Sequence, residues 1–254
     1  QDYRMIGEGQ GGGLLEPLLP RREMRREADR NWSGPSLALL CASHGGTNLV
    51  FGLQYALLTP FVLELGVHKK WASLIWLGGP VTGMVVQPLV GRASDRYSGW
   101  LSRLGRRRPF LLAATVVCLV SHLLVGNCVD LGHWLGDNPE DFLKLRSAAI
   151  FVLGFWLLDA GSNGVIVVSR ALIADVVPPE QHVRAFSYGT LLSGAGLAAG
   201  YLAGAVPWST YGSLAWLNSD VCSAAGGCAD LRAAFIIAFA GSVLTTAVTA
   251  VVGE

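Results

Sequence analysis

The stretch LLDAGSNGVIVVSRALIAD, residues 157–175, places an aspartate and an arginine inside a segment that is apolar enough to cross a membrane. Asp159 and Arg170 are eleven residues apart, which in an α-helix is about three turns plus roughly 20°. Both side chains therefore project from one face, about 16 Å apart. A charge at the centre of a bilayer costs roughly 3 to 10 kcal/mol, so each group is expected to face a polar pathway or a partner.

The composition of the whole chain indicates a polytopic membrane protein. The 254 residues are 52% hydrophobic and 15% charged, with a mean hydropathy of +0.44, which is too apolar for an ordinary soluble domain. The five cysteines lack the paired spacing of a zinc or redox site, so we predict no metal, no cofactor and no nucleic-acid partner. For Cys222 and Cys228, which share one loop, a disulfide and two free thiols fit the sequence equally.

Apolar stretches divide the chain into a tail and a membrane part. Residues 1–33 are rich in glycine and arginine and predict a disordered, basic, cytoplasmic tail. Within residues 34–254, six stretches have about the 20 residues that a bilayer requires: about 36–61, 71–91, 109–127, 147–173, 186–207 and 232–252. The predicted fold class is all-α, a polytopic membrane protein with a bundle of six transmembrane helices.

The basic residues are distributed unevenly between the two ends of these spans. With a cytoplasmic N-terminus, most of the 19 lysines and arginines fall on the cytoplasmic side, and the other side holds only Lys69, Lys70, Lys144, Arg146 and Arg232. Because cytoplasmic loops carry an excess of Lys and Arg, we predict that the N-terminus and the end of the sixth span are cytoplasmic.

Two spans carry a pattern of their own. In the first span, polar side chains fall within an arc of roughly 120° on a helical wheel: His44, Thr47, Asn48, Gln54 and Tyr55. Such an arc fits a water-filled cavity and fits hydrogen bonds between helices equally well. In the fifth span, the four-residue spacing of Gly196, Gly200 and Gly204 predicts close packing of another helix.

The loop between the second and third spans reads GRASDRYSGWLSRLGRRRP, residues 91–109. It resembles the signature loop of the major facilitator superfamily, and the resemblance implies a cytoplasmic gate formed by Gly91, Asp95, Arg96, Arg106 and Arg107. An acidic residue at one helix end can pair with arginines at neighbouring helix ends, in a contact that forms in one state and breaks in another. The basic cluster stands farther from Asp-Arg than in the usual motif.

Further segments, taken together, resemble the plant-type sucrose/proton symporters, a glycoside-pentoside-hexuronide cation symporter-like family that also has animal relatives. The segments are LLTP at 57–60, HKKWASLIWLGGPVTGMVVQPLVG at 68–91, SDR at 94–96, GRRRPF at 105–110, FVLGFWLLD at 151–159, RAL at 170–172, AD at 174–175 and the glycines from 196 to 204 with Tyr201. The resemblance covers about residues 36–240. It implies that the chain is the N-terminal half of a carrier whose C-terminal half is absent.

The resemblance also implies roles for individual side chains. Asp159 takes the position of the proton-coupling group, and Arg170 that of an arginine essential to sugar recognition or coupling. His68 matches a histidine associated with substrate access. The other predicted substrate-binding residues are Gln54, Asn48 and Asn163.

The chain departs from the plant pattern between these two charges. Plant members tend to have a polar Gln-Gly-Pro run before the arginine, whereas this chain has Ile166-Val167-Val168, and their asparagine pair becomes Ser162-Asn163. The sequence therefore supports proton coupling more strongly than it supports one particular sugar.

These patterns predict a transporter and not an enzyme. The expected activity is proton-coupled symport of sucrose or a related glucoside by alternating access between two six-helix halves. The expected partners are the sugar, the proton, the bilayer and the missing half, in the plasma membrane or in a vacuolar or other organellar membrane. Two alternatives remain: an organellar carrier of another solute in the animal-type branch, and a natural half-transporter that acts as a regulatory or scaffolding subunit.

Overall fold

The computed structural model describes residues 31–99, 105–138, 140–217, 219, 221 and 228–253, so most of the predicted basic tail lies outside the described residues. Within them the regular structure is helical, without a strand. The α-helices are α1 Gly34–Leu40, α2 Ala42–Glu64, α3 Lys69–Ile75, α4 Gly78–Asp95, α5 Arg108–Gly126, α6 Cys128–Trp134, α7 Leu145–Val176, α8 His182–Ala205 and α9 Cys228–Val252. Short 3-10 helices cover Pro179–Gln181, Trp208–Thr210 and Gly212–Leu217.

Five helical segments of the described chain are long and apolar enough to cross a membrane: Ala42–Glu64, Lys69–Asp95, Arg108–Gly126, Leu145–Val176 and Cys228–Val252. They correspond to five of the six predicted spans, so the prediction of an all-α polytopic membrane protein is confirmed. The predicted fifth span is the 24-residue helix α8, which is long enough to cross but is not among the five. Its many glycines, together with serine, threonine and tyrosine, make it less apolar than the others.

Several helix boundaries differ from the predicted ones. The first apolar stretch is interrupted at Cys41, where α1 ends and α2 begins, and the second is divided into α3 and α4 at Trp76 and Leu77. Helix α7 has 32 residues and ends at Val176, just before Pro178 and Pro179. Because a proline cannot continue a helix and restricts the residue before it, this end follows from the sequence.

Helix α7 lies at the centre of the bundle. It packs against α5, α4 and α6, while α2 packs against α8 and α9 and also contacts α7. The main apolar core is formed by buried side chains of α2, α5, α7 and α9. Within it, the rings of Phe61 and Phe151 lie 5.0 Å apart.

The contact between α2 and α8 brings two helix backbones together. The glycines at 196, 200 and 204 of α8 lie along α2, and α2 contributes glycines of its own. A Cβ atom at Gly200 would lie 2.8 Å from the Cα atom of Gly52, and one at Gly196 would overlap the backbone of Gly45. Any larger side chain at these two positions must push the helices apart.

The start of α7 is capped from the preceding loop. The buried carboxylate of Asp137 accepts hydrogen bonds from the Ser147 amide at 2.8 Å and from the Ser147 hydroxyl at 2.9 Å, and it also accepts from the Arg146 amide. Burial by itself would raise the pKa of Asp137, but these hydrogen bonds outweigh it and hold the pKa below its ordinary value. The charged carboxylate therefore satisfies backbone donors that the helix leaves unpaired.

A Gly200→Ala substitution should destabilise the bundle, because the added methyl group meets the backbone of α2. Overpacking of this kind costs about 1–3 kcal/mol, which would be measured as a lower Tm of the purified protein in detergent. Gly194→Ala is the matched control, since a Cβ atom at this position of the same helix meets nothing within 4 Å. We expect the control to be neutral or slightly stabilising, and equal Tm values would contradict the packing argument.

Candidate functional site

Asp159 lies near the middle of α7, and only 3% of its surface is exposed. Its carboxylate faces the side chain of Gln54 on α2, which is also buried. The Gln54 amide lies beside the carboxylate but forms no hydrogen bond of ordinary geometry. Among the described residues, no lysine or arginine forms an ion pair with Asp159. The described part of the bundle therefore buries a carboxyl group without a cationic partner.

A network of amide and hydroxyl groups joins α7 to α4 beside this carboxyl group. Asn163 donates one hydrogen bond to the backbone oxygen of Asp159 at 2.9 Å and a longer one to Thr82 at 3.4 Å. The Gln87 amide donates to the Asn163 side-chain oxygen at 2.7 Å. Next to Thr82 on α4, a Cβ atom at Gly79 would lie 3.5 Å from the Asp159 carboxylate. The glycine thus leaves the carboxylate approachable from α4.

Tyr55, which lies near the same carboxyl group, belongs to a cluster of three aromatic side chains. The ring of Tyr55 is 5.4 Å from that of Trp76 and 6.2 Å from that of Tyr201, and Tyr55 is close enough to interact with the charge of Asp159. The Trp76 indole donates a hydrogen bond to Thr59 at 3.2 Å. Tyr55 and Tyr201 are both exposed. Aromatic faces beside carboxyl and amide groups can bind a ligand that has both C–H and hydroxyl surface.

The other predicted substrate residues lie elsewhere. Arg170 is exposed on α7, near His44, and forms no ion pair with any described residue. The Asn48 amide donates to the His44 backbone oxygen at 2.8 Å, within its own helix. His68 caps the start of α3, where its ring accepts a hydrogen bond from the Lys70 amide at 3.4 Å. The roles proposed for Arg170, Asn48 and His68 stay predictions.

The polar arc of α2 was expected to line a water-filled cavity or to form hydrogen bonds between helices. Neither structure accounts for all of its residues. Gln54 and Tyr55 face the Asp159 carboxyl group, whereas Thr47 and Asn48 bond back to carbonyl groups of their own helix. Hydrogen bonds from α2 to α7 and α9 do exist, but they come from Ser43, which lay outside the predicted set. The arc is therefore divided between a site and local backbone bonds.

An ion cluster joins three helix ends at the end of the bundle that carries the predicted gate. The buried guanidinium of Arg107 lies 2.6 Å from Asp95, at the end of α4, and 2.8 Å from Asp175, at the end of α7. It also donates to Ser94 at 2.7 Å, and Arg106 pairs with Asp175 at 3.2 Å. Burial by itself would lower the pKa of Arg107, but the two carboxylates outweigh it and raise the pKa above its ordinary value.

The remaining gate residues contribute less to this cluster. Gly91 faces Val167 of α7, where an added Cβ atom would make an ordinary contact at 3.7 Å. Arg96 is exposed. The structure thus brings together Asp95, Arg106 and Arg107 of the predicted gate.

Sequence reasoning missed several of these groups. Asp175 had been noted only as part of the family resemblance, although an acidic residue closing an apolar span beside an arginine-rich loop is itself a signal. Gln87, a lone amide in the apolar run of α4, carried a similar signal. Trp76 and Tyr201 stand in segments that resemble the family but carried no signal of their own, because only the contacts of α2 with the end of α3 and with α8 bring them to Tyr55.

Within the described residues, no group of His, Cys, Asp and Glu is placed to hold a metal ion. Cys228 is buried with a free thiol, and Cys222 lies outside the described residues.

Three curated plant proteins are similar to this chain over most of its length, while no protein-family model matches it. Sucrose transport protein SUC3 of Arabidopsis thaliana is 38% identical over 226 residues, which cover 87% of this chain and 37% of the relative. Sucrose transport protein SUT3 of Oryza sativa subsp. japonica is 36% identical over 256 residues, which cover 98% of this chain and 47% of the relative. Sucrose transport protein SUC4 of Arabidopsis thaliana is 39% identical over 204 residues, which cover 79% of this chain and 38% of the relative. The chain therefore spans less than half the length of these relatives.

An Arg107→Lys substitution should destabilise the bundle, because an ammonium group lacks the planar fork of donors that serves Asp95, Asp175 and Ser94 together. Losing hydrogen bonds of this buried cation costs about 1.5–3 kcal/mol, chiefly at the buried Ser94 hydroxyl, because the carboxylates of Asp95 and Asp175 are partly exposed. Thermal unfolding in detergent would detect the loss. Arg106→Lys is the control, since Arg106 is 41% exposed and contacts Asp175 alone; a surface pair contributes about 0–1 kcal/mol. Equal losses in the two variants would contradict the central position given to Arg107.

Proposed function

The chain belongs to the family of plant sucrose transport proteins, with identities of 36–39%, and on this basis we propose that it forms the N-terminal half of a proton-coupled sucrose symporter. In this proposal Asp159 exchanges the proton and the adjacent amide and aromatic side chains bind the sugar. A second six-helix half completes the pathway, as in carriers that rock two halves around a central site.

The observation that carries the proposal is the burial of Asp159 with no lysine or arginine paired to it in the part of the chain that the structure describes. An ionisable side chain inside a membrane segment is costly and is found mainly where ions, protons or substrates pass. A carboxyl group locked in an ion pair is held in its charged form, whereas one without such a partner can exchange a proton with its surroundings. The nearby Gln54 amide can orient the group in both protonation states, because an amide both donates and accepts.

The groups around Asp159 support a sugar as the substrate. The amides of Gln54, Asn163 and Gln87 provide donors and acceptors for hydroxyl groups. Tyr55 and Trp76 provide apolar faces against which the C–H surface of a sugar ring can pack. A site of this composition suits an uncharged, hydroxyl-rich solute better than it suits an ion.

We propose that Arg170 acts in the same pathway as Asp159, at a different depth in the membrane. It lies about 16 Å from Asp159 along α7, and its guanidinium is exposed and without an ion pair among the described residues. A rigid, always charged fork of donors is suited to bind hydroxyl groups. We assign it to sugar recognition or coupling on the side of the ion cluster.

The energy available from one proton is sufficient for accumulation. A proton that falls through about 100 mV gains roughly 2.3 kcal/mol, and each pH unit adds about 1.4 kcal/mol. Together they can sustain a sugar gradient of a few hundredfold. For this multi-pass membrane protein we propose a cytoplasmic N-terminus, with the Arg107 cluster on the cytoplasmic side and the plasma membrane or a vacuolar membrane as its location.

An Asp159→Asn substitution should abolish proton-driven accumulation, because an amide cannot exchange a proton. The test uses the full-length protein that carries this chain, reconstituted in vesicles, and measures labelled sucrose uptake with and without an inward proton gradient. Sucrose exchange without a gradient should remain measurable, and the exposed loop residue Asp141 provides the control variant Asp141→Asn. An Asp159→Asn protein that still concentrates sucrose would refute the assignment.

An Arg170→Lys substitution should weaken sucrose transport about tenfold at low sucrose concentration, because a lysine keeps the charge but loses the planar fork. Uptake is measured in the same vesicles over a range of sucrose concentrations, to separate KM from the maximal rate. Arg184→Lys, which changes an exposed arginine on α8 in the same way, is the control. If both variants transport like the original protein, Arg170 has no part in recognition or coupling.

A further inference from the structure

The second membrane span is interrupted between α3 and α4, directly beside the site around Asp159. Helix α3 ends at Ile75 and α4 begins at Gly78. Pro80 explains the interruption, because a proline has no N–H group and its ring clashes with the carbonyl group four residues earlier, here that of Trp76. The same proline is tolerated in the first turn of α4, where backbone N–H groups have no partner within the helix. The sequence thus requires a break at this point of the span.

The break leaves a backbone carbonyl group without the partner that a continuous helix would provide. In an unbroken helix, the carbonyl group of Ile75 would accept a hydrogen bond from the amide of Gly79. No backbone hydrogen bond joins these two described residues, and the carbonyl oxygen accepts from the indole of Trp156 on α7 at 3.2 Å. The hydrocarbon region of a bilayer has no water to satisfy such a group. The indole therefore meets a requirement that the break creates.

Gly78 lets the Trp156 indole reach this carbonyl group. A Cβ atom at Gly78 would lie 2.7 Å from two atoms of the indole, one of them the nitrogen that donates. Because the indole is rigid, a larger side chain at this position would push it away from the Ile75 carbonyl group. Part of the Trp156 side chain is exposed, as is common for tryptophan at a membrane surface, but its N–H group is bonded within the protein.

The residues on both sides of the break face the proposed sugar site. On one side, the ring of Trp76 lies 5.4 Å from that of Tyr55 and 5.8 Å from that of Phe155. On the other side, a Cβ atom at Gly79 would lie 3.5 Å from the carboxylate of Asp159. The geometry of the break therefore determines where an aromatic face and an open backbone stand at the site.

Building on the sugar site proposed above, we propose that Trp156 is a positioning residue of the transporter. Its indole holds the break in the second span and thereby sets Trp76 and Gly79 against the sugar, which Trp156 itself does not contact. Phe155, the preceding residue of α7, supports the ring of Trp76. Two adjacent residues of α7 thus fix the break. Without the hydrogen bond to the Ile75 carbonyl group, the aromatic face is less well placed and sucrose binds less tightly.

The first test is a Trp156→Phe substitution, which keeps an aromatic ring but removes the N–H donor. In vesicles that contain the full-length protein, KM for sucrose should rise about two- to tenfold, the range expected for one hydrogen bond. The maximal rate per folded protein should change less, whereas a merely structural role would lower the amount of folded protein and leave KM unchanged. Trp134→Phe, at a largely exposed tryptophan of α6, is the control. An unchanged KM in Trp156→Phe, or an equal rise in both variants, would overturn the proposal.

A Gly78→Ala substitution tests the same contact without removing the indole. The added methyl group should displace the indole from the Ile75 carbonyl group and raise KM for sucrose in the same direction. Gly241→Ala on α9 is the matched control, because a Cβ atom there meets only a side-chain atom of Leu49, at an ordinary 3.9 Å. If Trp156→Phe fails to fold, Gly78→Ala decides the question, and an unchanged KM in this variant would overturn the proposal.

Hydrogen exchange measures the break independently of sucrose transport. In detergent without sucrose, the backbone amides of residues 76–82 should exchange about two- to tenfold faster in Trp156→Phe than in the original protein or in Trp134→Phe. Faster exchange in a protein that transports no sucrose would support the contact at the break and refute the proposed function. Equal exchange in all three proteins would overturn the role of Trp156 even if sucrose transport is coupled to protons.

Discussion

A carboxyl group in the middle of a membrane helix must be surrounded by protein, and the bundle is arranged to meet this requirement for Asp159. Helix α7 is central because it carries that group, and two of its faces are specialised. Toward α5 it presents Gly154 and Gly161, which let the backbones approach closely. Toward α4 and α2 it presents Asp159 and Asn163, which meet amide and hydroxyl groups. Close packing on one face thus allows a polar site on the other.

The two ends of the bundle are held by buried arginines, each of which joins several elements. Arg107 connects the ends of α4 and α7 to the start of α5, and Arg232 of α9 connects to the end of α5, to Asp130 of α6 and to Leu217. A carrier that rocks one half against another needs each half to move as a unit. In the proposed carrier, the contacts of Arg107 and Arg232 would join the helix ends of this half in the state described.

Much of the fold could be predicted from the sequence, because apolar runs of membrane length are a direct consequence of the bilayer. The breaks inside those runs could not, since a local turn such as that at Cys41 leaves the apolar pattern unchanged. Helix α8 shows a second limit of prediction from the sequence. The glycines that let it pack closely against α2 also lower its hydropathy, so the feature that indicates packing weakens the evidence for a membrane span.

For the site, the sequence identified groups that are unusual in themselves and missed groups that matter only through their neighbours. Asp159, Gln54 and Asn163 are rare side chains in apolar helices and were found, while Trp76 and Tyr201 resemble ordinary interface aromatics. The structure also shows the surroundings of Val168, one of the residues at which this chain departs from the plant pattern. Val168 is fully buried in a cluster between α7 and α5, away from the polar groups around Asp159.

At Val168 the departure therefore bears on helix packing. An apolar side chain at Val168 suits a position that faces α5, where a polar group without a partner would be costly. Val167 faces Gly91 of α4, and Ile166 is seven residues from Asp159, on the same face of α7. The departure at these two positions therefore still bears on the identity of the solute. In the proposed symporter, we expect the residues around Asp159 to contribute most to sugar discrimination, because a substrate hydroxyl left without a partner discriminates more strongly than a change in the packing behind it.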